Sequence, residues 1–433
     1  MIRFTGIIDA SMEHFSNYLK HFFQETFSSL HVRNYRLYYL GQIISTSGTF
    51  MQQVAQVWLV LKLTNSGPAL GLATALQYLP ILFLGPYGGV IADRISKRKI
   101  LYFTQSISGV LALILGTLVV TGLVRVWMVY ILAFCLGSVN VFDNPTRQTF
   151  YFELVGPDNL RNALTLYSTL VNLARIIGPA IAGGLIAAFG LAPCFFINGV
   201  SYVAVVIMLS MMRASELHIT PPVPRAKGQL QEGFKYVVST PILGSTLLMM
   251  AIIGTLTYEF QVSLPLIAQF TFKGDASSYA FLTASMGVGA AVGGILFASR
   301  KGITPYKLVS ASLLFGLAVL AAAFMPTLLL SGLAMVLVGM CSINFSSLGN
   351  STLQLSSSPQ MRGRVMSFWS VAFLGSTTIG GPIVGWFAQA AGARWGLALG
   401  GIASLVAATL GGFTLRKLQT GKSVAAGQSN KPT

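Results

Sequence analysis

GGVIADRISKRKIL (Gly88–Leu101) is the stretch on which the reading of this chain turns. Five of the seven residues from Asp93 to Lys99 are charged, in a chain where charged residues make up 9%. One carboxylate leads four cations. The flanking runs, 69–92 and 100–122, are apolar and each exceeds the roughly 20 residues that cross a bilayer as a helix. A soluble domain would spread its charge, at about 25% of residues, over its whole surface.

Working outward, the same pattern repeats along the chain. Candidate spans fall at 37–61, 69–92, 100–122, 127–146, 163–190 and 193–212, then at 241–269, 278–299, 305–325, 327–349, 365–390 and 394–415. The composition agrees: 54% of the 433 residues are hydrophobic and the mean hydropathy is +0.70. A net charge of +17 raises the question of nucleic acid, but the cations sit in short loops and form no basic face for a duplex. Nucleic acid is therefore not an expected partner. Cys135, Cys194 and Cys341 are far apart and lie in or beside apolar runs, which suits packing and not a metal site or disulfide framework.

Twelve spans put both termini on one side. With a cytoplasmic N-terminus, cytoplasmic segments hold 23 of the 28 Lys and Arg residues. The outer loops hold Lys62, Arg125, Lys273 and Arg394, and Arg175 falls inside a span. This follows the positive-inside rule, so both termini are expected in the cytoplasm. Residues 1–36 lack a secretory apolar core. Phe15, Leu19, Phe22, Phe23 and Phe27 stand there at helical spacing, which reads either as a surface amphipathic segment or as an unpacked tail. Residues 213–240, with Pro-Pro-Val-Pro at their centre, read as a cytoplasmic linker between six-helix halves at 37–212 and 241–415. A tail follows at 416–433.

The halves repeat each other. NPTRQ (Asn144–Gln148) and RIIGPAIAGG (Arg175–Gly184) are echoed by NSTLQ (Asn350–Gln354) and TIGGPIVG (Thr378–Gly385). The offset is 206 residues at Asn144 and Asn350 and 203 at Gly178 and Gly381. Two six-span repeats are a transporter arrangement, because a site between them can open to each side in turn.

On these motifs the chain resembles the major facilitator superfamily. Gly89, Asp93, Arg94, Lys97, Arg98 and Leu101 match the pattern of its loop between spans two and three, with Ser96 where the family usually has Gly. GTFMQQVAQVWLVLKLTNS, FDNPTRQ, ARIIGPAIAG and RGRV resemble its branch of enterobactin exporters and macrolide efflux pumps. The resemblance covers roughly 33–415. It implies an all-α membrane protein of twelve transmembrane helices in two six-helix repeats, a monomer in the cell inner membrane, with no cofactor. It also implies that the carboxylate at Asp93 helps lock the halves together, so Gly89, Asp93, Arg94, Lys97 and Arg98 form a gate. The cations would also anchor the loop among anionic headgroups.

Inside the spans a polar group needs a partner or a wet cavity. Ser45, Thr49, Gln52 and Gln56 recur at 4, 3 and 4 residues along one face of span one and are candidates to line a substrate cavity. Thr165, Ser168, Asn172 and Arg175 do the same in span five, where cavity lining and interhelical bonding stay equally open. Glu259 is the acid deepest in a span, where an ionised carboxylate costs several kcal/mol unless paired or hydrated. It is the first candidate for proton coupling, with Asp143 at the end of span four second and Arg175 the intramembrane cation near them. Gly178–Pro179 and Gly381–Pro382 are expected to kink their helices, since Pro removes a backbone bond and Gly allows close contact.

The function these features point to is proton-coupled export of a small amphiphilic compound, a siderophore or a drug, with protons and membrane lipids as the other partners. An importer or a lipid flippase on the same fold is the alternative. A membrane-embedded enzyme fits worse, because His14, His21, His31 and His218 all lie outside the spans, leaving no histidine metal cluster there. No phosphate-binding loop of an ATP-driven pump occurs. Asp93→Asn is expected to slow transport strongly in reconstituted vesicles while leaving insertion and folding intact; wild-type rates would leave the loop as an anchor alone.

Overall fold

In hydrocarbon the backbone must satisfy its own N–H and C=O groups, and a run of apolar residues does so as a helix. The computed structural model describes residues 26–219, 229–298, 304–358 and 360–429, with their side chains except at 86–94, 229–230, 298, 305 and 415–429. Among the described residues there is no strand. The first half comprises α1 (Arg33–Thr64), α2 (Gly67–Arg94), α3 (Lys97–Val120), α4 (Val126–Phe189) and α5 (Ala192–Ser210). A short α6 (Gln229–Ser239) leads into α7 (Pro241–Leu256), α8 (Phe260–Leu266), α9 (Ala276–Ala298) and α10 (Pro305–Phe324). Then follow α11 (Leu328–Ser356), α12 (Arg362–Ser370), α13 (Thr377–Ala391) and α14 (Ala393–Ser429).

Ten segments among the described residues are long and apolar enough to cross a membrane. One of them, α4, has 64 residues, about 96 Å at 1.5 Å per residue, roughly three bilayer cores. It breaks at Gly156 (φ 70°, ψ −174°) just before Pro157 and so makes two legs. α1 is outside the ten because its Gln, Ser and Thr stripe dilutes its hydropathy. Counting α1 and both legs of α4 gives twelve crossings.

The interior of three spans departs from expectation. The stretch expected as a loop between spans four and five is helical on both sides of Gly156, because Phe150, Tyr151 and Leu154 pack into a buried cluster with Tyr35 and Tyr38 of α1. Span seven is not continuous over 241–269. It breaks at Thr257–Glu259, where the Thr257 hydroxyl donates to the Gly400 carbonyl at 2.7 Å and the Tyr258 hydroxyl to Ser342 at 2.9 Å. Span eleven carries a wide π turn, Val371–Gly375, between α12 and α13. By contrast α4 and α13 run through Pro179 and Pro382 as interior prolines; the only non-helical residue inside α4 is Gly156.

The halves meet along two seams, α2 against α13 and the second leg of α4 against α9. Both are backbone contacts made possible by glycine. A Cβ on Gly71 would strike the Gly381 carbonyl and come within 2.9 Å of the Pro382 Cα, and one on Gly67 would strike the Gly385 carbonyl. Across the second seam a Cβ on Gly183 would lie 3.0 Å from that of Ala280, and one on Gly287 2.9 Å from the Arg175 carbonyl.

The opposite end of the bundle is tied by charge. Lys97 pairs with Glu153 at 2.5 Å, and Arg98 donates to the last carbonyls of α5, Leu209 and Ser210, at 2.9 and 3.1 Å. Both cations thus turn onto the protein, not onto headgroups as expected. The backbone of Gly89, Asp93 and Arg94 lies in α2; their side chains lie outside the described residues, as do residues 1–25 and 220–228. The linker clasps each half: Asn34 and Arg213 exchange two hydrogen bonds, at 2.9 and 3.0 Å, and Glu232 of α6 pairs with Arg364 of α12 at 2.6 Å.

Gly71→Leu is expected to lower the unfolding temperature, as overpacking at a backbone contact costs about 1–3 kcal/mol or more. Gly184→Ala, where an added Cβ meets nothing within 4 Å, is expected to leave it unchanged or raise it slightly. Thermal unfolding in detergent compares the two, and equal losses would refute the seam.

Candidate functional site

Two cavities of about 310 and 280 Å³ adjoin, the first enclosed by helices of the first half with Leu374 of the second at its edge, the second lying between the halves. Phe50, Gln53, Tyr78 and Leu374 line both and so form the partition. α1 supplies polar groups to the first cavity because its residues recur every three to four positions, which keeps Thr49, Gln52 and Gln56 on one side. These three line it. Ser45, two turns back, is buried at 2% exposure and is not in the lining; its carbonyl takes the Thr49 hydroxyl at 2.9 Å.

The glutamines are engaged as well as exposed to the cavity. Gln52 accepts from the Asn198 amide of α5 at 2.7 Å, and Gln56 donates to Gln77 of α2 at 3.3 Å. Cavity lining and interhelical bonding are therefore combined in the same side chains.

Asp143 lies in this cavity and is fully engaged. One oxygen accepts from the Thr104 hydroxyl and the Gln105 amide, both at 2.7 Å; the other accepts from two guanidinium nitrogens of Arg147. The i, i+4 spacing on α4 sets the two side chains side by side. Arg147 then reaches α1 through Gln42 at 2.6 Å. Its charge thus lies inside the protein, whereas the sequence reading counted it just beyond span four. The Asp–x–x–x–Arg spacing within FDNPTRQ is the signal that identifies it. Gln42, Gln53, Gln77, Tyr78 and Asn198 were not anticipated either, because each is a single polar residue whose meaning depends on what faces it.

The second cavity is built differently. Glu259 stands at the break in span seven, 2% exposed, with φ −80° and ψ 39°. Its backbone carbonyl is used, taking the N–H groups of Val262 and Ser263. The Thr377 hydroxyl is the polar group beside its carboxylate oxygens, which otherwise have no hydrogen-bond partner among the described residues. They rest against α13, where a Cβ on Gly380 would come within 2.8 Å of one and a Cβ on Gly381 within 3.6 Å of the other. Thr377 and Tyr258 line the same cavity. Arg175 faces it from the other half with its guanidinium over the Phe50 ring at 5.8 Å, and it makes no ion pair among the described residues. Glu259 and Arg175 therefore share a cavity without being bonded to each other. Asn172 is elsewhere, in a crevice between α4 and α9.

Known proteins set this site in context. The model of the transmembrane secretion effector family matches residues 24–433. The chain is 25% identical over 363 residues to an uncharacterised MFS-type transporter of Bacillus subtilis, covering 80% of this chain and 85% of that one. It is 25% identical over 358 residues to the enterobactin exporter of Escherichia coli, with 81% and 84% covered. To the multidrug efflux pump Tap of Mycolicibacterium fortuitum it is 24% identical over 363 residues, with 80% and 87% covered. Among solved structures, an inward-facing, unoccupied bacterial homologue of the human lysosomal transporter Spinster superposes with a TM-score of 0.72 at 16% identity, covering 88% of this chain and 97% of that one. That likeness establishes the fold. With a cavity between two six-span halves and a family model spanning nearly its whole length, the chain belongs to the transmembrane secretion effectors, a family of major facilitator transporters.

Proposed function

We propose that this protein is a proton-coupled exporter of a small amphiphilic compound, a siderophore or a drug, working by alternating access across the bacterial inner membrane. The observation that carries the reading is the contrast between its buried carboxylates. Asp143 is held by three neighbouring side chains, one of them a guanidinium, whereas Glu259 faces a cavity with no cation bonded to it among the described residues and only the Thr377 hydroxyl beside its oxygens. A carboxyl beside a cavity with no ion pair to break can trade a proton with water or with an incoming ligand. Its place against Gly380 and Gly381, next to the α2–α13 seam, ties that exchange to the contact between the halves. Asp143 with Arg147 is then a fixed charge pair that shapes the first cavity, where Gln52 and Gln56 offer neutral donors and acceptors to a ligand. The names of the enterobactin and multidrug relatives support the substrate class.

Transport driven by a proton gradient in proteoliposomes tests this directly. Glu259→Gln is expected to reduce the rate to that seen with the gradient collapsed by an uncoupler, while counterflow exchange of substrate persists. A mutant still driven by the gradient would remove Glu259 from coupling.

Replacing the glutamines separates their two uses. Gln52→Leu strands the buried Asn198 amide and is expected to lower stability by about 1–3 kcal/mol. Gln56→Leu breaks only the longer bond to Gln77, and is expected to shift apparent substrate affinity with stability near wild type. Unchanged affinity in both mutants would take span one out of the substrate site.

A further inference from the structure

A space larger than either of these cavities lies away from Glu259 and Asp143. A crevice of about 1100 Å³ lies toward the linker end, between the second leg of α4 and α9, with Ile343 and Ser347 of α11 at its back. Nearer the other end the same two helices touch, at Gly183 with Ala280 and at Gly287 with the Arg175 carbonyl. The seam is thus closed along one part and parted along the other.

The two walls of the crevice differ chemically. α9 and α11 contribute a wall that is apolar but for Ser347, with Ile295, Phe297 and Ile343; α4 contributes Leu160, Leu164 and Leu173 together with the polar residues, Arg161, Thr165, Ser168, Thr169 and Asn172. The polar α4 residues follow the three-to-four spacing that keeps them on one face. Thr165 and Thr169 return their hydroxyls to their own helix, at 2.8 and 3.0 Å. Ser168 and Asn172 make no hydrogen bond among the described residues, so an amide and a hydroxyl stand free in a largely apolar crevice. Among the described residues none of these side chains bonds to a neighbouring helix, which favours the cavity-lining reading of this stripe. The stripe has a cation at each end. Arg161 is exposed at its linker end, and one turn past Asn172 comes Arg175, which faces the Glu259 cavity. Fourteen residues separate the two guanidinium-bearing positions, about 21 Å along the helix.

We infer that this crevice binds a single-chain amphiphile with an anionic head, admitted sideways from the membrane, its head on the α4 stripe from Arg161 toward Arg175 and its chain against Ile295, Phe297 and Ile343. An apolar wall alone would hold any greasy molecule, and the Arg161 cation alone any anion. Their juxtaposition selects a ligand that is both. The head would reach Arg175, which has no carboxylate partner among the described residues, and so enter the cavity that Glu259 lines. This names the substrate class within the export reading and rests on it, but binding in the crevice requires no proton gradient.

Gly294 gives a probe site, since a Cβ there meets nothing within 4 Å. With Cys135→Ser and Cys341→Ala removing the partly accessible thiols, and buried Cys194 left in place, Gly294→Cys carries a bimane label in nanodiscs of zwitterionic lipid. Dodecyl phosphate is expected to shift its emission saturably, whereas butyl phosphate and dodecyl maltoside at equal concentration are not. Arg161→Gln is expected to raise the half-saturating concentration about tenfold, the usual worth of a charge-assisted hydrogen bond. Gly294→Phe, otherwise native, is expected to keep the wild-type unfolding temperature and reduce binding of radiolabelled dodecyl phosphate to background. Equal response to the maltoside would leave only an apolar groove. Equal response to butyl phosphate would make it an anion site reached from water. No response to any of the three, or undiminished binding by Gly294→Phe, overturns the assignment. Loss of gradient-driven export with crevice binding intact would instead fault the coupling proposal alone.

Discussion

An unmade hydrogen bond has no water to fall back on in hydrocarbon, and the architecture follows from that constraint. It forces the chain into helices and forces helices to contact one another through backbone, since apolar side chains gain little by leaving lipid for protein. Hence the seams between the halves are glycine seams: Gly67 with Gly385, Gly71 with Gly381, Gly183 with Ala280. Polar side chains within the spans have two outlets, a bond to a neighbouring helix or a shared wet space. Tyr258, Thr257 and Asn198 take the first; Gln56, Arg175 and Glu259 face the second.

The internal repeat shows where function has been added to a symmetric frame. Shifting by the 206 residues that relate Asn144 to Asn350 carries Asp143 to Gly349 and Arg147 to Leu353. In the second half that place is packed: Leu353 is fully buried, and a Cβ on Gly349 would press within 2.6 Å of the Trp369 ring. One half therefore holds a charge pair where the other holds core. The reverse asymmetry occurs at Glu259, which the same shift relates to Gln53, a neutral residue on the partition between the cavities. Each half contributes ionisable chemistry the other lacks, so the two cavities are not copies.

The fold was legible in the sequence because its determinant is local. A run of apolar residues bounded by charge means a spanning helix whatever its neighbours are, and the cavity face of α1 follows from spacing alone. The breaks were not legible. Tyr258 and Glu259 leave the helix because partners on α11 and α14 hold their surroundings, and nothing within 241–269 announces those partners. Arg147 shows the same limit. Its position just past an apolar run reads as a loop cation, yet the aromatic residues after it, Phe150 and Tyr151, pack against α1 and draw the helix and its charge inward. The cations of the opening motif misled in the same way: Lys97 and Arg98 have the composition of a headgroup anchor, but Glu153 and the end of α5 claim them.

The closed and parted lengths of the α4–α9 seam suggest where the halves pivot. Above the Gly287–Arg175 contact the helices touch, and below it they separate around the crevice. Arg175 is at that boundary with its carbonyl on the contact and its guanidinium in the cavity. Movement of one half against the other must either shift that carbonyl along α9 or turn about it. In both cases the guanidinium moves relative to Glu259, which belongs to the other half, whereas Phe50 of α1 packs against the second leg of α4 at Gly178 and travels with it. A ligand held on Arg175 and a proton held on Glu259 would then each bias the same motion from opposite walls of one cavity. That satisfies the requirement of coupling, that two ligands act on a single two-state element, and it needs no direct bond between the two side chains.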